Sequence, residues 1–174
     1  MRKPFVFFAS GLLLFVTRLP AQTPPRQVDT SQLAVDTATR TVTFQLVAGQ
    51  TKLNSGLNFN GFNDGKLTLT VPQNWNVVIQ FANKDPNLPH SAEVVDTTKP
   101  MPAGPADPTF AHAMTTKLMI GHASGESESF QFVANKPGSF MIFCAVPGHG
   151  LAGMWIRLKV SPTEKRPTLT STAG

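Results

Sequence analysis

The chain has 174 residues, about the length of one domain, and its 41% hydrophobic content is enough for a packed core. Fifteen basic side chains face 10 acidic ones, for a formal charge of +5, but no basic cluster is interleaved with aromatic residues, which argues against nucleic acid as a partner. A single cysteine, Cys144, excludes a disulfide framework within the chain.

Residues 1–21 read as an export signal. Met1-Arg2-Lys3 is a basic start, Phe5 to Val16 is apolar, and Leu19-Pro20-Ala21 ends on a small residue. The apolar run is shorter than the ~20 residues of a comfortable membrane span. Contact with a membrane is therefore expected only if this segment is kept as an anchor. Cleavage would remove Arg2, Lys3 and Arg18 and leave 12 basic against 10 acidic side chains, a formal charge of +2. An exported protein, in the periplasm or on the outer face of the cell membrane, is the expectation.

Residues 22–32, with Pro24 and Pro25, form an expected flexible lead-in to a folded domain spanning residues 33–162. Thr41–Val47 alternates Val42, Phe44 and Leu46 with polar residues, as a half-buried strand does. Leu57–Phe62 reads as a further extended segment before the turn Asn63-Asp64-Gly65. Lys66–Val71, Trp75–Asn83 and Ser91–Asp96 follow as strands. Pro100, Pro102, Pro105 and Pro108 then forbid regular pairing and mark a long insertion over residues 97–114, after which 115–121 is expected to return as a strand. Glu126–Ala134, Ser139–Cys144 and Met154–Val160 complete the set, and a disordered tail is expected over residues 163–174. Seven to nine short strands with turn signals, and no convincing amphipathic helix, predict an all-β fold, an antiparallel sandwich or barrel with a Pro-rich insertion.

The chemistry concentrates in Phe143-Cys144-Ala145-Val146-Pro147-Gly148-His149-Gly150-Leu151-Ala152-Gly153-Met154-Trp155. Cys144, His149 and Met154 recur with four residues between each pair, on a compact loop joining two strands. A thiolate, an imidazole and a thioether turned to one point suit copper, whose sites take two His, one Cys and a weak axial Met. The second imidazole has to come from elsewhere. His90, in Asn87-Leu88-Pro89-His90 at the start of a strand, can supply it. His112, in the insertion, and His122, in a Gly-flanked turn, are its rivals and read as solvated loop residues. Met101, Met114 and Met119 are spaced irregularly, which fits packing or a partner-facing loop better than a copper-collecting patch.

Cys-x4-His-x4-Met at the end of a late strand, with an upstream Pro-His, resembles the cupredoxins, the type 1 (blue) copper proteins. The His-Gly-x-x-Gly-Met-Trp ending, Leu57-Asn58-Phe59-Asn60-Gly61 and Leu67-Thr68-Leu69-Thr70-Val71-Pro72 resemble sulfocyanin and, more distantly, rusticyanin. The likeness spans about residues 40–160. It implies a Greek-key sandwich with one copper ion near one end, alternating between Cu(I) and Cu(II). His90 and His149 are then the imidazole ligands, Cys144 the thiolate and Met154 the axial thioether. Ser91 stands where many cupredoxins have Asn. With Pro147 offering no N–H, few hydrogen bonds to the sulfur and a high reduction potential are expected.

The resemblance implies a one-electron carrier rather than an enzyme, a monomer that works in a respiratory chain with redox protein partners such as a cytochrome or a terminal oxidase. Multicopper enzymes need further His pairs, typically His-x-His, and the sequence has none. The alternative is an exported copper carrier or chaperone without a redox role, which would want an exchangeable, exposed site.

Overall fold

The computed structural model describes residues 27–97 and 100–172; the expected signal segment lies outside them. Among the described residues there are nine strands: β1 (Leu33–Asp36), β2 (Thr41–Ala48), β3 (Leu67–Pro72), β4 (Asn76–Asn83), β5 (Glu93–Asp96), β6 (Ser127–Val133), β7 (Gly138–Phe143), β8 (Trp155–Ser161) and β9 (Thr168–Ser171). They form one sheet in the order β1-β2-β4-β6 and a second in the order β5-β7-β8-β3-β9.

The two-residue period decides what lies between the sheets. Val42, Phe44 and Leu46 of β2, Val77, Ile79 and Phe81 of β4, and Phe130 and Phe132 of β6 face inward from the first sheet. Leu67, Leu69 and Val71 of β3, Phe140 and Ile142 of β7, and Ile156, Leu158 and Val160 of β8 meet them from the second. The expected sandwich is present, but its sheets are mixed rather than wholly antiparallel. The β2–β4 and β3–β8 pairs are parallel. The chain passes from β2 to β3 in the opposite sheet before returning as β4, so β2 and β4 run the same way.

Several local expectations need correction. The tail does not stay disordered from residue 163. Leu169 is buried, and Thr168–Ser171 pairs antiparallel with β3 as an edge strand. Leu57–Phe62 is a tight reversal, because Asn60 and Gly61 take left-handed backbone angles (φ 53° and 76°) that a strand does not allow. Its buried Asn60 amide then bonds the Gln45 carbonyl and Gln32 across the lead-in. That lead-in is in part ordered, with a 3-10 turn at Thr30–Gln32. Residues 115–121 are irregular rather than a strand; the return of the insertion meets the β5 side through isolated bridges, Glu93–Met114 and His90–His122, and scattered bonds such as the Thr115 amide to the Ala92 carbonyl (2.9 Å).

The Pro-rich insertion covers the outer face of the second sheet. Val95, Met141, Phe143 and Ala145 form a second, smaller cluster there, packed against Met101, Ala106, Leu118 and Trp155. Glu93 points into the same layer and is fully buried; one carboxyl oxygen accepts the Ala106 amide (3.1 Å) and the other has no partner. Burial pushes its carboxyl up to about 7, the Ala106 amide opposes the shift, and nearby Asp107 adds to it. The folded chain therefore holds a proton on Glu93 that the unfolded chain, near 4.5, has already lost. Stability is fully present below about pH 4.5, falls as pH rises toward 7, and loses at most about 3 kcal/mol. Thermal melting of the wild type is expected to drop by several degrees between pH 5 and pH 8, and Glu93→Gln to flatten that dependence.

Candidate metal centre

Three of the candidate donor residues inherit their direction from the sandwich. His90 continues the inward row of Ala92 and Val94, Cys144 that of Phe140 and Ile142, and Met154 that of Ile156 and Leu158. The β7–β8 ladder runs one step past its last strand pair, with the Cys144 amide donating to the Met154 carbonyl (3.0 Å). His90, Cys144 and Met154 therefore arrive together at one end of the core, all fully buried. His149 comes from the loop that closes this end and is half-buried.

The donor atoms of His90, Cys144 and His149 lie within 4.8 Å of one another, an arrangement able to hold a metal ion. Cys144 Sγ is 3.5 Å from His149 Nδ1 and 3.8 Å from His90 Nδ1. The two imidazole rings are tilted, with centroids 5.2 Å apart. Met154 shares the fully buried end of the core, and the sequence singles out all four residues. The rival histidines stand apart from this cluster. His112 is exposed in the insertion. His122, expected to be solvated, is instead buried: its backbone exchanges hydrogen bonds with His90 (3.1 and 2.7 Å). Its ring lies between the carboxylates of Glu126 and Glu128; the 2.7 Å approach of Nε2 to Glu128 is close but not aligned as a hydrogen bond.

The loop is gripped from three sides. The Gly148 amide donates to the Ala103 carbonyl of the insertion (2.9 Å). Asn54 Nδ2 reaches the Ala152 carbonyl (2.7 Å), and the Asp64 amide the Gly153 carbonyl (2.9 Å). Gly153 has φ 91°, and a Cβ there would meet the Asp64 carboxylate, so the position is built for glycine. Sequence reasoning missed Asn54 and Asp64, since both act across long separations.

Ser91 does more than fill an Asn position. Its amide donates to Cys144 Sγ (3.4 Å), while its hydroxyl accepts the Ala145 amide (3.2 Å) and donates to the Leu118 carbonyl (2.8 Å). The sulfur is thus less bare than the sequence suggests. Burial pushes the Cys144 thiol up, against the opposing Ser91 and Val146 amides. Burial pushes both of these histidines down; at His90 Asp85 opposes the shift, and at His149 the neighbouring His90 adds to it. Two neutral imidazoles near neutral pH leave lone pairs for a cation. A soft thiol that deprotonates on binding and a buried thioether complete a donor set that fits copper.

The model of the sulfocyanin (SoxE) domain matches residues 28–170. The chain belongs to the sulfocyanin family. Sulfocyanin of Sulfolobus acidocaldarius is 26% identical over 135 residues, covering 74% of this chain and 67% of that protein. Among solved structures, auracyanin from Roseiflexus castenholzii superposes with a TM-score of 0.51 at 24% identity, over 74% of this chain and 100% of that one. A rusticyanin structure gives 0.53 at 18% identity, over 70% and 78% of the two chains. These two likenesses place the sandwich among the cupredoxin folds. As in the sulfocyanin family at large, the cofactor is copper and the role that of a copper electron carrier.

Proposed function

We propose that His90, Cys144, His149 and Met154 hold one copper ion and that the exported protein passes single electrons between redox proteins of a respiratory chain. The observation that carries this reading is the convergence of one nitrogen from each of two imidazoles and one Sγ within 4.8 Å at the closed end of a sandwich. Copper supplies the one-electron Cu(I)/Cu(II) couple. The protein keeps the donors in place: three continue the rows of adjoining strands, and the loop carrying His149 is tied down by Ala103, Asn54 and Asp64. Donors held in this way would move little between the two charge states of a bound ion, which would keep the reorganisation on electron transfer low. Full burial of His90, Cys144 and Met154 excludes water from three of the four donors. It also supports a resident ion over an exchangeable one, and so the carrier of electrons over the carrier of copper.

His149 offers the route out. It is half-buried, flanked by Gly148 and Gly150, and beside it Leu151 is 60% exposed. Leu151 and Ala152 form a small apolar platform on which a cytochrome or a terminal oxidase can dock briefly. Leu151→Glu is expected to slow bimolecular electron transfer roughly tenfold, equivalent to about 1.4 kcal/mol in the encounter. The visible spectrum should not change. Stopped-flow reduction kinetics check this, and an unchanged rate moves the docking platform elsewhere.

Export rests on the basic start, apolar run and small-residue end of residues 1–21. Among the described residues no helix is long and apolar enough to cross a membrane. Cleavage of the leader is read directly by mass spectrometry of the mature protein.

A further inference from the structure

Asp85 stands behind His90, on the side away from Cys144. It lies in the loop between β4 and β5 and is 3% exposed. One carboxylate oxygen, Oδ1, accepts the amides of Asn87 (2.8 Å) and Leu88 (3.1 Å). The other, Oδ2, is 3.2 Å from His90 Nε2. The Asp85 amide donates to Asn83 Oδ1 (2.9 Å), and Asn83 Nδ2 donates to the carbonyls of Leu88 and His122 (both 2.8 Å). The 49–56 segment closes over this group. Gly49 and Gly56 have φ of 62° and 91°, and a Cβ at either would overlap Asp85. The carboxylate is thus held from both sides and from its own backbone.

Oδ1 already receives two amide hydrogens and Oδ2 faces the ring nitrogen, an arrangement that suits the ionised carboxylate. An ionised carboxylate has no hydrogen to give. The ring hydrogen of neutral His90 must then lie on Nε2, which leaves the lone pair on Nδ1. Nδ1 is the atom that faces Cys144 Sγ.

We infer that Asp85 is a positioning residue of the copper centre: it fixes His90 in the tautomer that can bind the metal and sets a negative charge behind that ligand, favouring Cu(II). This rests on the reading of His90 as a ligand. Partners of this kind orient imidazole ligands and raise their basicity, and their loss costs about 10- to 100-fold in metal affinity. Nothing in the loop Asn83-Lys84-Asp85-Pro86-Asn87 marks it out in sequence from an ordinary turn.

The first test uses the unaltered metal-free protein. Nitrogen-15 NMR of the His90 ring at neutral pH should show the hydrogen on Nε2; a hydrogen on Nδ1 overturns the inference. The second uses Asp85→Asn, nearly the same shape. With its oxygen kept on the Asn87 and Leu88 amides, its NH2 faces His90 Nε2 and demands an acceptor there. The tautomer should invert, Cu(II) affinity should fall about 10- to 100-fold, and the potential of the loaded protein should move upward. An unchanged tautomer, or an unchanged potential with affinity intact, overturns the assignment. Should this variant not fold, the wild-type tautomer decides alone. His90→Gln separates the two readings: if the copper spectrum survives it unchanged, His90 is not a ligand, whatever Asp85 does to its ring.

Discussion

Cys144→Ser is expected to abolish the intense visible absorption of the copper-loaded protein and to weaken copper binding by orders of magnitude. The thiolate is the soft donor that selects copper and produces the strong ligand-to-metal band, and a hydroxyl at the same place stays protonated at neutral pH. The fold should tolerate the change. Cys144 contributes a small side chain to the core, and the Ser91 amide that now points at the sulfur can bond an oxygen instead. The metal-free variant should lose no more than about 1–2 kcal/mol, the scale of a buried hydroxyl with partial compensation. Circular dichroism and denaturant melts check the fold, and absorption with copper checks the site. A variant that stays folded and keeps the band removes Cys144 from the centre.

Phe140→Ala should give the complementary result, a large loss of stability with the site chemistry intact. Phe140 is 1% exposed on β7, four residues before Cys144. Its ring meets Phe110 of the insertion edge-on at 4.9 Å, and Phe110 stacks on Phe132 of the other sheet at 5.1 Å. That trio links both sheets and the insertion. Truncating a buried Phe to Ala costs about 3–5 kcal/mol. At roughly 2–4 °C per kcal/mol for a chain of this size, melting should fall by around 10 °C. The fraction that remains folded should keep its copper absorption, because Phe140 lies a full four residues before Cys144 along the chain. A loss under 1 kcal/mol would mean that the insertion relaxes into the space.

The candidate site was largely legible in the sequence because three of its residues obey the same alternation as the core. His90-Ala92-Val94, Phe140-Ile142-Cys144 and Met154-Ile156-Leu158 each place a candidate donor one step beyond buried residues. The four-residue spacings around His149 then set the size of the closing loop. Strand positions followed from the same two-residue period. Strand direction did not, since alternation is blind to it, and the parallel β2–β4 and β3–β8 pairs depend on how the chain crosses between sheets. His122 looked like a solvated turn residue because Gly121 and Gly125 flank its segment; its burial comes from backbone pairing with His90, 32 residues earlier in the chain. The grip of Asn54 on Ala152 spans 98 residues and leaves no local pattern. Ser91 reads in sequence as a lost hydrogen bond to sulfur, whereas its backbone amide, which any residue but proline carries, restores one.

The reading of the chain as a one-electron copper carrier is tested most directly by potentiometric titration of the wild-type protein loaded with one equivalent of copper, followed by visible absorption. A one-electron copper carrier should show an intense band that bleaches and returns along one reversible, one-electron curve. Copper bound without such a band, or a band that reduction does not reversibly remove, would contradict it.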